Sequence, residues 1–388
     1  MKLFEMNEVF SDSEISSSSF RGRRRRGGRI IIAGGGTGGH IFPAIAIANA
    51  LKKIDTDIEI LFVGAKGKME MEKIPQAGYK IEGIDIAGFN RSSLIKNIGL
   101  PFKLVKSFFQ VRSIMKKFKP DAVIGVGGYS SFPVLRFAQA IGVPTFIHES
   151  NSFAGKSNIL LGKKAKKIFV ASDGMEKFFP ASKILVTGNP VRFSIAQSKI
   201  TRSEGINFFS LDEQKKTVLV VGGSQGAKSI NEAVDKHLEE LLGGGLQLIW
   251  QTGKSYAARA KERTKGKTAV WVNDFITKME YAYAAADIVV ARAGAMTVAE
   301  LCVAKKAVLF IPYPHATEDH QTVNAMKLVS NNAAMMVKDN EAINKIVPMI
   351  IELAKDEQRL KEFKNNIGQL GIINADKRIA EEIIKAIQ

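Results

Sequence analysis

The sequence is short of cysteine, of acidic residues and of any long apolar run, and each shortage removes a class of protein. One cysteine, Cys302, stands among 388 residues, so no intrachain disulfide can form, and an inert buried thiol in a reducing compartment is expected. No run of about 18 apolar residues occurs, so no segment reads as a membrane-spanning helix and contact with a bilayer would be peripheral. Asp and Glu number 38 against 56 Lys and Arg, a formal net charge of +18, which favours an acidic partner such as phospholipid, a diphosphate or nucleic acid. No RNA-binding aromatic motif, zinc spacing or helix-turn-helix pattern accompanies that charge, so nucleic acid is not an expected partner. No glycine turn runs into Gly-Lys-Ser or Gly-Lys-Thr, which excludes a P-loop.

A hydrophobic content of 45% with 24% charged residues excludes disorder over most of the chain. Residues 1–28 are the exception. They carry a serine run from Ser16 to Ser19 and arginines at 21 and 23–26 with no apolar periodicity, and read as a flexible arm. The arm lacks the apolar region of a secretory signal, and Glu5, Glu8, Asp12 and Glu14 are unsuited to a transit peptide; it is a disordered leader or a basic tether to anionic lipid. Through Arg29 this stretch holds +3 of the net charge, so the basic character belongs to the folded body.

What the chain does have is three glycine-rich turns, each after an apolar strand and before a helix: Gly34-Gly35-Gly36-Thr37-Gly38-Gly39-His40, Gly125-Val126-Gly127-Gly128-Tyr129 and Gly222-Gly223-Ser224-Gln225-Gly226. Glycines there let the backbone approach a ligand, and the following helix offers unpaired N–H groups to an anion. From Arg29 onward strands and helices alternate, the pattern of a parallel sheet covered on both faces. Strands are expected at 30–33, 58–63, 122–126, 145–147, 168–170 and 184–186. Gly188-Asn189-Pro190-Val191-Arg192 then leads into a polar, irregular stretch, 193–216, where the domain boundary belongs. A strand at 217–221, the third glycine turn and a helix over 227–242 restart the theme as a weak internal repeat of residues 30–51. Further strands follow at 247–250, 269–272, 288–291 and 307–311. The expectation is an α/β protein of two Rossmann-like domains with parallel sheets facing across a cleft, one over 29–192 and one over 193–370, followed by a last helix within 371–388. Length alone also favours two domains, and ligands of such sheets bind beyond the carboxyl ends of the strands.

A dinucleotide site would place an acid at the end of the second strand, roughly 20 residues past the glycines; here that strand ends Phe62-Val63-Gly64-Ala65-Lys66. Asp55-Thr56-Asp57 could hold a divalent cation, but it precedes the second strand and so lies at the wrong end of the sheet. No metal site and no required cofactor are expected; helix N-termini, loop amides and a cation such as Arg192 would balance a diphosphate.

Together with Pro43, His148-Glu149-Ser150-Asn151, Gly294-Ala295-Met296-Thr297-Val298-Ala299-Glu300, Gln321 and Asn324, these motifs resemble, in order and spacing, the MurG-type UDP-N-acetylglucosamine:lipid I N-acetylglucosaminyltransferases, inverting enzymes of GT-B architecture. The resemblance runs from about Arg29 to the C-terminus. It implies transfer of GlcNAc from UDP-GlcNAc to the 4-hydroxyl of the MurNAc of undecaprenyl-pyrophosphoryl-MurNAc-pentapeptide, lipid I, giving lipid II for peptidoglycan at the cytoplasmic face of the bacterial plasma membrane. The donor set it implies is Thr37, Gly38, Gly39, Asn151, Arg192, Ser224, Gln225, Phe275 and Ile276 against uracil, Ala295, Met296 and Thr297 at a helix start, Glu300 on the ribose hydroxyls, and Gln321 on the sugar. The implied acceptor set is Gly36, Gly128, Tyr129 and Asn151, with lipid I's diphosphate near the first two turns. A carboxylate suits two vicinal hydroxyls, and free amides suit a phosphate.

His40 is the candidate general base, since imidazole titrates near the operating pH; a loop-ordering histidine is the alternative. Glu149 is the second catalytic candidate, holding His40 or the acceptor. His148 is read as ordering the crevice and His237 as a helix-surface residue. The pattern departs from the family where His320-Gln321 replaces a glutamine pair and Ala293 a common serine. The same resemblance places the final helix back on the N-terminal domain. Leu100-Pro101-Phe102-Lys103-Leu104-Val105-Lys106-Ser107-Phe108-Phe109, with Lys116-Lys117-Phe118-Lys119 beyond, mixes aromatics with lysines and reads either as a face resting on an anionic membrane or as an ordinary amphipathic helix. Another GT-B glycosyltransferase, a UDP-sugar epimerase and a non-catalytic nucleotide-sugar-binding module are the competing functions.

Overall fold

The architecture is that of a computed structural model, which describes residues 27–88, 100–223, 225–316 and 319–388. The arm through residue 26 and Ser224 lie outside the described residues.

Among the described residues the N-terminal half is built on seven strands, β1 (Arg29–Ala33), β2 (Glu59–Ala65), β3 (Lys80–Ile84), β4 (Ala122–Gly125), β5 (Thr145–Glu149), β6 (Lys167–Val170) and β7 (Ile184–Val186). The C-terminal half has six, β8 (Lys216–Val221), β9 (Leu246–Gln251), β10 (Val270–Asn273), β11 (Ile288–Ala291), β12 (Ala307–Phe310) and β13 (Met335–Met336). The first sheet runs β3-β2-β1-β4-β5-β6-β7 and the second β10-β9-β8-β11-β12-β13, every pairing parallel. Parallel strands need helical crossovers on both faces, so both faces of a strand are apolar. Ile30 and Ile32 enter one core layer and Ile31 and Ala33 the opposite one; Val218 and Val220 are likewise divided from Leu219 and Val221 in the second half.

Strand order reverses at β1/β4 in the first sheet and at β8/β11 in the second, and a crevice opens at such a switch point. The first and second glycine turns follow β1 and β4. The third turn follows β8, and the Gly294-Ala295 helix start follows β11. All the glycine-rich motifs therefore sit at the two points where the topology makes room for a ligand.

The stretch 193–216 is not irregular: it contains helices Phe193–Ala196 and Arg202–Phe208. The second has a reciprocal cap, with the Glu204 N–H donating to Thr201 Oγ1 at 3.2 Å and the Thr201 N–H donating to Glu204 Oε2 at 2.7 Å. It packs on helix Met279–Ala285, where Gly205 matters because a Cβ would lie 2.7 Å from Tyr281 O. The helix expected over 227–242 is two, Lys228–Lys236 and Leu238–Gly243, broken at His237. Strands β3 and β13 complete the sheet edges beyond those read from the sequence.

The last helix, Ala375–Ile387, lies against helix Gly38–Ile54 of the first half and places Ile379, Ala380 and Ile383, all 0% exposed, in its core. The last helix thus belongs to the core of the first half. Truncating Ile383 to Ala should cost about 2–4 kcal/mol, as for other buried large-to-small changes, read as a fall in the urea midpoint; a loss below about 0.5 kcal/mol, the scale of surface substitutions, would mean that this helix adds nothing to that core.

Candidate active site

The first two glycine turns interlock. The register of β1 and β4 pairs Ala33 with Gly125, so both turns leave the sheet at one level, and the Gly35 N–H donates to Gly127 O at 3.2 Å. A Cβ on Gly128 would sit 2.4 Å from Gly35 O, and one on Gly35 would sit 2.3 Å from the carboxyl carbon of Glu70; only glycine permits either approach. Tyr129, 54% exposed, lies with its ring against Gly88.

His40 stands in the first turn of helix Gly38–Ile54, its Nδ1 3.0 Å from Gly35 O and its Nε2 edge against Gly127. A carbonyl can only accept, so Nδ1 carries the ring proton and Nε2 keeps its lone pair. Burial lowers the pKa of the ring, opposed by the Gly35 carbonyl and the charges of Glu149 and Glu70, so the imidazole is neutral near pH 7. The neutral tautomer with an open Nε2 is the form a proton acceptor needs.

Glu149, at the end of β5, is not bonded to His40. Its Oε1 accepts from the Asn151 N–H at 3.1 Å and Asn151 Nδ2 at 3.3 Å, and its Oε2 from the Gly155 N–H at 3.1 Å and Asn158 Nδ2 at 2.8 Å. The carboxylate thereby orders the loop that carries Asn151 and reaches His40 only through its field. Beside it His148 is 1% exposed, its pKa pushed down to about 4 by burial and then by His40, with Asn189 and Gly188 pulling the other way.

On the C-terminal side, Glu300 is 7% exposed. Arg192 holds it through Nε to Oε1 at 2.9 Å and a terminal nitrogen to Oε2 at 3.1 Å, and the Tyr283 hydroxyl donates to Oε2 at 3.1 Å. The Arg192 guanidinium also lies 4.9 Å from the centroid of the Phe42 ring, on the helix that carries His40. Tyr283 is raised well above an ordinary phenol by burial and by Glu300. Helix Ala295–Val303 starts after Gly294 with no side-chain cap, leaving its first amides to Ala295, Met296 and Thr297. Gln225 is exposed on the third turn; Gln251 bridges Gly223 O, at 3.0 Å, and the Ile276 N–H, at 2.9 Å, tying that turn to the Phe275-Ile276 segment. Gln321 accepts from the Tyr313 N–H at 3.0 Å.

Two more contacts close the halves together. Ser152 Oγ donates to Asn324 Oδ1 at 3.2 Å, and Asn189 Nδ2 donates to Ser150 O at 3.0 Å and to Ala295 O at 3.4 Å. Behind helix Ala295–Val303 a cavity of about 300 Å³ is lined by Asn189, Val298, Cys302 and Ile372; burial pushes the Cys302 thiol up to about 12, so it is inert. Asp55 and Asp57 line a pocket with Gly28 and Asp121 at the opposite end of the first sheet. Among the described residues no group of three or more His, Cys, Asp or Glu is placed to hold a metal.

The structure thus gathers His40, Glu149, Asn151, Gly128 and Tyr129 on one side of the junction and Arg192, Glu300, Gln321 and the helix start at Ala295 on the other. Glu70, Tyr283, Gln251 and Ser152 were not expected there. Of these Gln251, directly after the strand read over 247–250, carried a sequence signal.

Residues 30–170 match the glycosyltransferase family 28 N-terminal domain and residues 217–383 its C-terminal domain. The chain belongs to glycosyltransferase family 28. It is 49% identical, over 90% of its length and 96% of the relative's, to the UDP-N-acetylglucosamine--N-acetylmuramyl-(pentapeptide) pyrophosphoryl-undecaprenol N-acetylglucosamine transferase of Parabacteroides distasonis. It is 50% identical to the enzyme of the same name from Phocaeicola vulgatus, over 90% of this chain and 94% of that one. Among solved structures, MurG of Acinetobacter baumannii superposes with a TM-score of 0.74 at 30% identity, covering 93% of this chain and 99% of that one. The GT-B arrangement of this family-28 chain is thereby established.

The buried histidines make stability depend on pH. His148 has a folded pKa of about 4 against 6.5 for the free side chain, so between those values the unfolded state binds more protons and stability falls as pH falls. The contribution is about 3 kcal/mol in full, about 2 kcal/mol of it between pH 7 and 5. His148→Gln should flatten that part of the pH dependence of the urea midpoint; an unchanged slope would show that His148 is not buried neutral.

Proposed function

We propose that this chain transfers N-acetylglucosamine from UDP-GlcNAc to the 4-hydroxyl of the MurNAc of lipid I, with inversion, to form lipid II for peptidoglycan. The observation that carries the reading is His40: a neutral imidazole with an open Nε2, set between two interlocked glycine turns and across the junction from a buried carboxylate and an uncapped helix start. In the transfer the acceptor oxygen attacks the anomeric carbon while its proton passes to Nε2. The bond from that carbon to the UDP oxygen breaks, and the departing diphosphate is met by the amides at Ala295, Met296 and Thr297, by the third turn with Gln225 and by Arg192. Ser224 belongs to that turn on sequence grounds. Glu300 accepts the ribose hydroxyls, Phe275 and Ile276 flank the base, and Gln321 and Asn151 reach the sugar. Gly128 and Tyr129 contribute to the acceptor side. Retention of His40 and Glu300 together speaks against a binding-only module.

The charge of the leaving group is balanced by fixed dipoles and a guanidinium, so the reaction is expected to need no metal. Replacing His40 by Ala should lower kcat for UDP release from UDP-GlcNAc with a soluble lipid I analogue by about 10²–10⁴-fold, the usual worth of a general base, while EDTA leaves the wild-type rate intact. Undiminished release would remove His40 as the base.

The lipid-linked acceptor requires a membrane surface, here the anionic cytoplasmic face of the plasma membrane. No helix among the described residues is long and apolar enough to cross it. Helix Leu100–Phe118 offers instead Phe102, Val105 and Phe109, 79%, 57% and 67% exposed, on one face beside the exposed Lys103 and Lys106. Apolar side chains flanked by lysines suit peripheral binding to acidic lipid. Changing Phe102, Val105 and Phe109 to Ser should cut cosedimentation with phosphatidylglycerol vesicles by about tenfold or more; unchanged binding would reject this face.

A further inference from the structure

Glu70 is a carboxylate beneath the acceptor side that sequence motifs do not single out. It opens helix Glu70–Gln76 just after β2 and is 1% exposed. Its Oε2 accepts the Gly36 N–H at 2.7 Å and its Oε1 the Ala65 N–H at 3.0 Å. The side chain is slotted between two glycines, since a Cβ on Gly35 would lie 2.3 Å from its Cδ and one on Gly64 2.5 Å from its Cγ. No Lys or Arg among the described residues forms an ion pair with it. A buried carboxylate held only by amides is costly, and this one sits directly beneath the turn expected to meet a diphosphate.

We infer that Glu70 is a further positioning residue for the transfer: it fixes the first glycine turn from below, withdraws the Gly36 N–H, expected on the acceptor side, from the acceptor's diphosphate, and leaves the amides at the uncapped helix start, Gly38 and Gly39, which the resemblance placed on the donor side, to receive it instead. The inference rests on the acceptor assignment under Proposed function. Its physical basis is twofold. Each lone pair of Glu70 that faces the turn is satisfied by a backbone donor, so the turn is fixed without using ligand to order it. The negative charge behind Gly35 and Gly36 also disfavours a phosphate on that side and favours one beyond Thr37, where the helix dipole is positive and no side chain caps it. The same charge acts on His40 together with that of Glu149 from β5, both raising it against burial, while His40 in turn lowers His148.

The test uses three variants of the full chain. Glu70→Gln keeps the shape but puts an amide NH₂ against one of the two backbone donors; Glu70→Asp keeps the charge but is too short to reach both Gly36 and Ala65; Glu72→Gln, on the exposed face of the same helix, is the control. For Glu70→Gln the acceptor KM should rise about tenfold with the donor KM within about twofold, and the acid limb of kcat/KM and the NMR titration of His40 in the unliganded protein should both move to lower pH. Glu70→Asp should raise the acceptor KM with the His40 titration near that of wild type, and Glu72→Gln should change neither. Should Glu70→Gln fail to fold, the Asp variant still decides the acceptor effect. Wild-type acceptor KM in both Glu70 variants would overturn the inference. Loss of the base assignment alone would appear differently, as activity surviving His40→Ala while the Glu70 variants still raise the acceptor KM.

Discussion

The acceptor side depends on one backbone contact, the Gly35 N–H donating to Gly127 O between two strand ends that leave the sheet at the same level. Parallel pairing of β1 with β4 fixes the height of both turns, and the absence of side chains at Gly35 and Gly128 lets one turn enter the other. Once they are joined, His40 has its Nδ1 proton drawn to Gly35 O and its other nitrogen held against Gly127. The orientation of the imidazole therefore follows from strand register rather than from any side-chain partner. A site built on strand ends is stiffer than one built on free loops, and here the stiffness reaches the reacting group through backbone alone.

Much of this was legible in the sequence because parallel strands buried on both faces read as continuous apolar runs, and those runs end in glycines where the crevice opens. What escaped has tertiary causes. β3, Lys-Ile-Glu-Gly-Ile, is an edge strand carrying charges, and β13 has two residues; neither is an apolar run. Helix Arg202–Phe208 is capped by Thr201 and Glu204, and at seven residues it gains its support from lying on Met279–Ala285, an approach that Gly205 permits. His237, expected on a helix surface, lies half-buried between two helices with Nδ1 2.9 Å from Glu240. Glu70 and Glu72 look alike in Met-Glu-Met-Glu, and only the fold decides that one is buried under a glycine turn and the other is solvated.

The pairing of Arg192 with Glu300 was the least accessible, joining residues 108 apart in sequence. Glu300, expected on the ribose hydroxyls, is held in this structure by a bidentate guanidinium that also rests on Phe42 of the other half. Breaking a buried pair by removing one partner costs about 3–5 kcal/mol, because the other charge is left alone in a poor solvent. A ribose that takes Glu300 leaves Arg192 without its counter-charge unless an anion arrives with it. A nucleoside diphosphate brings both replacements in one molecule, hydroxyls for the carboxylate and phosphate for the guanidinium, whereas a nucleoside brings only the first. On the proposed donor assignment, the closed pair thus discriminates by the cost of a half-exchange. Arg192, paired with Glu300 and resting on Phe42, joins the donor side to the helix that carries His40.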